Sequence, residues 1–315
     1  MSSSDETTVI CLGVHVLDTL VRPVEEIPAG QGGQLVEEIR MTAAGTAGGT
    51  ALVLAKLGAP VRSAGAIGED PLADMLVGLL ARDGVDTGLL VRRTGVQTSA
   101  SVLPIRPDGS RPAFHVVGAN GTYGPDDAPW DAIAAAAHLH LGAPEFMGGE
   151  AAARILTFAR EHGTTTSADL LAPGDQAGQI LDWIAPMLPH LDFLLPNDEQ
   201  VLGLTGETDL VAGCRALVAR GVGCVVATRG ADGAVIVDGD TERVVPALAV
   251  EAVDTSGCGD AFSAGFIRGL TLGRSRLDAA RLGCAAASFV VQGLGSDHGT
   301  YDLAAADAAT ARASS

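Results

Sequence analysis

The chain alternates short apolar segments with helix-like segments along most of its 315 residues, which limits the folds open to it. Segments typical of buried strands are 8–13, 61–68, 138–141, 165–169, 193–195 and 224–227. Segments with helical spacing between them include 51–57, 149–162 and 210–220. Strands separated by helices form a parallel sheet with helices on both faces. The sequence therefore predicts an α/β fold with a mostly parallel central sheet.

Two segments interrupt this alternation. Residues 34–41 place charged residues between apolar ones, as in an exposed strand, and residues 98–117 have the pattern of a β-hairpin. They predict a small β-sheet lid, built from about 14–41 and 98–118 and inserted in a single domain of residues 1–315. A lid of this kind would close over a cleft and exclude water. Residues 304–315 are rich in alanine and polar residues, and we expect them to fray.

Charge excludes one class of partner. The chain has 38 acidic and 20 basic residues and a net charge of -18. Binding to nucleic acid depends on Lys and Arg that neutralise phosphates, so we expect no nucleic-acid partner. No run of 18 apolar residues is present, and the start lacks the pattern of a secretion signal. We therefore expect no membrane partner and a cytoplasmic location.

Lysine and cysteine usage exclude further chemistry. Lys56 is the only lysine, and Leu57 and Gly58 follow it, so there is no Gly-Lys-Ser/Thr phosphate loop. The five cysteines include no closely spaced pair, which argues against a disulfide framework or a structural zinc site.

The most informative segment is Asp254-Thr255-Ser256-Gly257-Cys258-Gly259-Asp260, which precedes a helix-like stretch. A glycine-rich turn at a helix N-terminus binds anions through free N–H groups and the helix dipole. Asp260 would share that site with the anion, although like charges repel. A reaction that takes a proton from a hydroxyl group beside a phosphate would use both features. The alternative is that Asp260 simply caps an ordinary helix.

This segment resembles the C-terminal signature of the ribokinase-like carbohydrate kinases, the phosphofructokinase-B type. Four other segments resemble family motifs in the expected order. They are the glycine-rich segment 45–58, the Gly-x-x-Gly-x-Asp segment 65–70, the Asn-x-x-Glu region 196–200 and the nucleotide loop 228–233. The resemblance covers essentially the whole chain and implies transfer of a phosphoryl group from ATP, with Mg²⁺, to a hydroxymethyl group of a sugar-like molecule.

The resemblance also implies roles for individual residues. Asp260 would be the general base, and the amides of Gly257, Cys258, Gly259 and Asp260 would stabilise the transferred phosphoryl group. On the acceptor side it implies substrate-binding roles for Asp18, Gly45, Gly49 and Asn120. On the nucleotide side it implies roles for Asn197, Thr228, Gly230 and Gly233. Asp169 ends an apolar run and could face the cleft as a further acceptor ligand, because ligands gather at the carboxyl ends of strands.

Four positions concern metals or departures from the family pattern. Gln200 stands where the family has a glutamate that organises water around magnesium, and Gly49 stands where it has a sugar-binding asparagine. We therefore expect altered handling of magnesium and an acceptor other than ribose. Asp254 and Ser256 lie where family members often bind a monovalent cation such as K⁺.

Several alternatives stay open on sequence alone. A nucleoside acceptor would need an aromatic wall, for which Phe114, Tyr123 and Phe146 are available. A sugar acid would need a cation, which Arg106 or Arg111 could provide. Other function classes are a dinucleotide-dependent oxidoreductase, which the missing G-x-G-x-x-G on the first strand disfavours, and a ligand-binding regulator without catalysis. An exposed β-lid also makes a homodimer plausible.

Overall fold

The computed structural model describes residues 8–107, 110–171, 177–239 and 241–313. The strands are β1 Val9–Gly13, β2 Val16–Arg22, β3 Glu38–Ala44, β4 Val61–Gly68, β5 Asp86–Arg93, β6 Ala100–Pro104, β7 Phe114–Val116, β8 His138–Gly142, β9 Thr165–Asp169, β10 Phe193–Leu194, β11 Val225–Thr228, β12 Ala234–Asp238 and β13 Thr241–Val245. The helices are α1 Thr46–Lys56, α2 Pro71–Arg82, α3 Trp130–Ala135, α4 Gly149–Glu161, α5 Ala177–Ile184, α6 Asp198–Thr205, α7 Leu210–Ala219, α8 Cys258–Thr271, α9 Arg276–Val290 and α10 Leu303–Ala313. The tip of the predicted hairpin, Asp108 and Gly109, lies outside the described residues.

The larger sheet has nine strands in the order β13-β12-β11-β10-β9-β8-β1-β4-β5. All neighbouring pairs from β11 to β5 are parallel, and β12 and β13 join at one edge as antiparallel strands. This arrangement confirms the predicted α/β fold with a mostly parallel sheet.

The central strand β1 contributes to two cores, one on each face of this sheet. Val9 and Cys11 pack with α1, α2, α8 and α9, whereas Ile10 and Leu12 pack with α3, α4 and α7. All four side chains are fully buried. Side chains alternate between the two faces of a strand, so a strand covered on both faces is apolar at every position. That is why β1 could be predicted from its continuous apolar run.

Asp70 begins α2 and also ties it to a neighbouring loop. Its Oδ1 accepts a hydrogen bond from the Ala73 N–H at 2.9 Å, and Pro71 takes the first helical position. Its Oδ2 accepts from the Thr98 N–H at 2.7 Å. The same carboxylate therefore caps α2 and fixes the start of the segment that leads into β6.

A second sheet of four strands, in the order β3-β2-β6-β7, stands beside the larger one. Its strands β6 and β7 lie within the predicted hairpin 98–117, and β3 overlaps the predicted strand 34–41. The remaining strand, β2, lies within the predicted lid segment 14–41 but was not itself predicted as a strand. The β3 strand begins at Glu38 and continues to Ala44, whereas the sequence predicted a strand over 34–41. In the observed register, Asp18 of β2 lies opposite Thr42 of β3 on one side and Ser101 of β6 on the other.

Two predictions about local structure were wrong. The strand β5 was missed because it is only half-buried and ends in Arg92 and Arg93, so it lacks the apolar run of the central strands. The C-terminal segment was expected to fray, but residues 303–313 form α10. Ala306 and Ala309 of this helix are buried in the core that contains α9, and this burial holds the helix in place.

Loop 295–299 connects the two sheets through Lys56 and Asp297. The Lys56 Nζ donates to the carbonyl oxygens of Asp297 at 2.5 Å and of Gly299 at 2.9 Å. The Asp297 carboxylate, which is nearly fully buried, accepts from Arg40 at 2.8 Å and from Thr42 at 2.9 Å, both on β3. The only lysine of the chain is therefore a structural residue.

All five cysteines are free thiols. Among the residues that the structure describes, no helix is both long enough and apolar enough to cross a bilayer.

Candidate active site

A cavity of about 330 Å³ lies at the carboxyl ends of the parallel strands, between the two sheets. Asp169 is the last residue of β9 and Thr228 the last of β11, and both line the cavity. In open α/β sheets this edge is the usual position of a ligand site. The predicted site residues that line the cavity are Asp18, Gly45, Asp169, Asn197, Gln200, Thr228, Ser256, Gly257, Gly259 and Asp260.

The glycine-rich turn 254–260 forms one wall of this cavity. Gly257 has φ +73° and is the N-cap of α8, and a Cβ there would stand 2.2 Å from the Ser296 Oγ. Only glycine fits that conformation and that space. The first N–H groups of a helix have no partner within it, so the turn presents donors and a positive dipole end at the cavity.

Asp260 lies in the first turn of α8 and is packed against α1. A Cβ on Gly49 would stand 2.2 Å from the Asp260 Oδ2, and the Thr50 hydroxyl donates to the Asp260 carbonyl oxygen at 3.4 Å. Burial, and then the charge of Asp18, raise the pKa of Asp260 to about 7. Near neutral pH the carboxyl group can therefore both hold and release a proton.

Two more carboxyl groups share the cavity with Asp260. Asp18 projects from β2, and burial raises its pKa to about 6, while Ser101 and Arg111 act in the opposite direction. Asp169 is buried, and burial together with the charge of Asp260 raises its pKa well above the ordinary value. Its Oδ2 accepts a hydrogen bond from the Ser263 hydroxyl at 3.4 Å.

Gln200 holds the local backbone together. Its Oε1 accepts from the Asn197 N–H at 2.9 Å, and its Nε2 donates to the Leu170 carbonyl oxygen at 2.8 Å. Asn197 in turn caps α6 by accepting from the Gln200 N–H at 2.8 Å. The sequence predicted Gln200 as a metal-linked residue, but these bonds make it a brace between α6 and the end of β9.

Asp254 and Ser256 stabilise the 254–260 turn by hydrogen bonds. The Asp254 carboxylate accepts from the Ser256 N–H at 2.9 Å, from its hydroxyl at 2.7 Å and from the Gly295 N–H at 3.2 Å. Asp254 is buried and does not line the cavity.

Cys258 does not line the cavity either, and burial raises the pKa of its thiol to about 12, so it is no nucleophile. The Cys258 N–H donates to the Thr255 carbonyl oxygen at 3.3 Å, which makes it the weakest candidate among the predicted anion donors.

Four predicted binding residues have other surroundings. Gly49 leaves space for Asp260 and does not itself line the cavity. The Asn120 side chain bridges the His15 backbone, donating to its carbonyl oxygen at 2.9 Å and accepting from its N–H at 3.2 Å. Gly233 forms a tight turn, because a Cβ there would stand 2.0 Å from the Val245 carbonyl oxygen. Gly230 belongs to that same turn before β12 and is exposed.

Sequence reasoning missed part of the lining, including Thr42, Leu170, Thr255, Gly295 and Ser296. Gly293 and Gly295 close together indicate a turn, but nothing in the sequence indicates that this turn packs against Gly257. Arg111 was considered only as one of two possible cations. It reaches the turn from the hairpin of the small sheet, and its guanidinium donates to the Ser256 hydroxyl and, at 3.2 Å, to the Thr255 hydroxyl.

Comparison with known proteins gives the family. The pfkB family carbohydrate kinase pattern matches residues 6–302. A nucleoside kinase of Methanothermobacter thermautotrophicus is 27% identical over 301 residues, which cover 94% of this chain and 92% of the relative. An ATP-dependent ribose-1-phosphate kinase of Halopiger xanaduensis is 30% identical over 254 residues, which cover 80% and 81%.

The fold is that of ribokinase structures. A crystal structure of a putative ribokinase from Agrobacterium tumefaciens superposes with a TM-score of 0.86 at 24% identity, covering 97% of this chain and 98% of the other. The fold, the order of the motifs and the nearly full-length match agree, and the chain belongs to the pfkB family of carbohydrate kinases.

Proposed function

We propose that the protein transfers the terminal phosphoryl group of ATP to a hydroxymethyl group of a sugar or sugar-like molecule. The observation that carries this proposal is the shared cavity: Asp260, Asp18 and the turn residues Gly257 and Gly259 line the same space of about 330 Å³. A base, an anion site and a ligand for hydroxyl groups are the three parts that such a transfer needs.

In the proposed reaction each group has one task. Asp18 accepts hydrogen bonds from acceptor hydroxyl groups and orients the sugar. The Asp260 carboxylate takes the proton of the reacting acceptor hydroxyl. The oxygen of that hydroxyl forms a bond to the terminal phosphorus of ATP. The bond from that phosphorus to the bridging oxygen breaks, and ADP leaves with the electron pair. The amides of Gly257, Gly259 and Asp260 stabilise the charge on the transferred phosphoryl oxygens.

Magnesium fits this site through few protein ligands. Mg²⁺ keeps several waters and binds in kinases through one or two carboxylates together with substrate phosphates. Asp169 provides a carboxylate at the cavity edge, and the described residues contain no cluster of three or more His, Cys, Asp or Glu that would form a cage. When bound, Mg²⁺ would neutralise phosphate charge; we assign Asp169 to it in place of Gln200.

The contacts of Asp254 do not favour a monovalent cation beside the 254–260 turn. Its expected ligand, Asp254, already accepts from Ser256 and Gly295. The Arg111 Nε also lies 3.8 Å from the Asp254 Oδ1 and places a positive charge there. These contacts favour an anchoring role for Asp254 over cation binding.

A sugar acceptor is favoured over a nucleoside by the positions of the aromatic residues. Phe114 is 60% exposed, Tyr123 is buried in a core, and Phe146 packs beside Val14 and Val16. None of the three is among the described residues that line the cavity. A nucleobase would therefore lack the aromatic wall that the sequence offered for it.

The small sheet presents an apolar outer face, which we propose pairs with a second copy of the chain. The exposed residues of this face include Ile39, Met41, Val102 and Phe114. The register places Met41 opposite Thr19, Thr19 opposite Val102 and Val102 opposite Phe114, so they form one row across all four strands. A row that crosses a whole sheet without a charged residue suits a two-fold, self-complementary contact.

The reaction is tested by assaying ATP consumption over a panel of sugars and nucleosides. Asp260→Asn should lower turnover by about two to four orders of magnitude, because the amide cannot accept the proton. Asp131→Asn, an exposed change on α3, is the matched control and should keep full activity. If wild-type protein binds an acceptor tightly but never phosphorylates any, the chain is a non-catalytic regulator instead.

The pKa of Asp260 predicts the pH dependence. The base must be ionised, so turnover should rise from about pH 6 to about pH 8, with an apparent pKa near 7. Asp18→Asn removes a like charge and should move this rise to lower pH, measured at saturating acceptor because acceptor binding also weakens. A wild-type profile that is already flat above pH 5 would contradict the assignment of Asp260 as the base.

Dimer formation is tested by light scattering during gel filtration. The wild-type chain should elute at twice its mass of 31.8 kDa, and Ile39→Glu should convert it to a monomer by burying a charge in the interface. Val244→Glu is the matched control, because Val244 is 60% exposed on β13 at the far edge of the larger sheet. A wild-type monomer at all concentrations, or equal effects of both changes, would overturn the pairing.

A further inference from the structure

Arg111 differs from most of the described arginines that lie near a carboxylate. In surface pairs such as Arg62 with Asp86 at 2.9 Å, Arg92 with Asp74 at 2.7 Å and Arg274 with Asp307 at 2.6 Å, the guanidinium contacts the carboxylate directly. Arg111 instead donates to two neutral hydroxyl groups, those of Thr255 and Ser256. The Asp254 Oδ1, 3.8 Å from its Nε, already accepts from the N–H and the hydroxyl group of Ser256.

The position of Arg111 is equally distinctive. Of the described residues that line the cavity, it alone is basic, and it shares the cavity with Asp18, Asp169 and Asp260. About a third of its side chain is exposed, so its head group is accessible from the cavity. Its positive charge also acts on Asp18, the proposed ligand of the acceptor hydroxyl groups.

A neutral sugar gives no reason to place a guanidinium in this cavity. Carboxylates and amides bind hydroxyl groups equally well, without a cation in the cavity. A guanidinium presents a planar fork of donors that matches a carboxylate or a phosphate with two parallel hydrogen bonds. An incoming oxyanion would be a better acceptor for Arg111 than the two hydroxyl groups that it contacts now.

We infer that Arg111 recognises an anionic group on the acceptor, so that the substrate is a sugar phosphate or a sugar acid. This inference rests on the proposed phosphoryl transfer and narrows its substrate class. Asp18 holds hydroxyl groups, Asp260 takes the proton, and Arg111 binds the oxyanion that a plain sugar lacks. Because Arg111 comes from the small sheet, an anionic acceptor also links that sheet to the 254–260 turn.

Arg106 is a matched control on the same hairpin. It is exposed, does not line the cavity, and donates to the Ser110 hydroxyl at 3.2 Å. A change at Arg106 removes the same charge from the same segment without touching the proposed oxyanion site.

The kinetic test compares ribose with ribose 1-phosphate, fructose with fructose 1-phosphate, and glucose with gluconate. At least one anionic acceptor should exceed its neutral partner in kcat/KM. Arg111→Ala should then reduce kcat/KM for that acceptor by roughly 10- to 100-fold, mainly through KM, because a charged hydrogen bond is lost. The neutral partner should change little, and Arg106→Ala should resemble wild type. The phosphate and carboxylate pairs show which oxyanion is used.

Three results would overturn the inference. One is a clear preference for a neutral acceptor. Another is an equal loss of kcat on charged and neutral acceptors in Arg111→Ala, which would place Arg111 on the transferred phosphate of ATP. The third comes from calorimetry without ATP, in which wild type and Arg111→Ala would bind ribose 1-phosphate and gluconate equally. The calorimetric comparison holds even if no acceptor is phosphorylated, so failure of the proposed reaction and failure of the Arg111 role are distinguishable.

Discussion

The close contact between α1 and the first turn of α8 determines where the chemistry can occur. Gly49 has no side chain, and the space it leaves is filled by the Asp260 carboxyl group. On the other side of the turn, Gly257 makes room for Ser296. A larger residue at either position would displace the turn, and with it the Asp260 carboxyl group, the proposed base, and the amides at the helix start. Both glycines therefore contribute to the site by leaving room for neighbouring side chains, although only Gly257 lines the cavity.

Electrostatics make the same cavity suitable for proton transfer beside phosphate. Three carboxyl groups lie in one small space, and burial raises the pKa of each. The charge of Asp18 raises the pKa of Asp260 further, and the charge of Asp260 raises that of Asp169. A partly protonated site repels an incoming phosphate less than three full charges would. The N-terminal end of α8 and the guanidinium of Arg111 add positive potential to the same cavity. The site can thus hold a base and an anion together, which the sequence motif suggested and the geometry supports.

The fold could largely be predicted because its central strands are buried on both faces. Strand β1 is apolar at each position for that reason, whereas β5 escaped prediction because its partly exposed residues mix with arginines. Residues of the glycine-rich turn were predictable because local geometry demands glycine and a helix start there. Asn120 and Gln200 were assigned binding roles by resemblance, but each is occupied by hydrogen bonds to distant backbone. Such long-range partners, like the contact of Arg111 with Ser256, leave no periodic signal in a sequence.

The central claim is that an acceptor hydroxyl and the terminal phosphate of ATP meet between Asp260 and the amides that precede it. A crystal structure with ADP, aluminium fluoride and an acceptor that still carries its free reacting hydroxyl group would test this most directly. We expect the fluoride complex at hydrogen-bond distance from the 257–260 amides, with the acceptor hydroxyl roughly 2.6–3.2 Å from the Asp260 carboxylate. An aluminium fluoride group bound elsewhere, or an acceptor hydroxyl out of reach of Asp260, would contradict it.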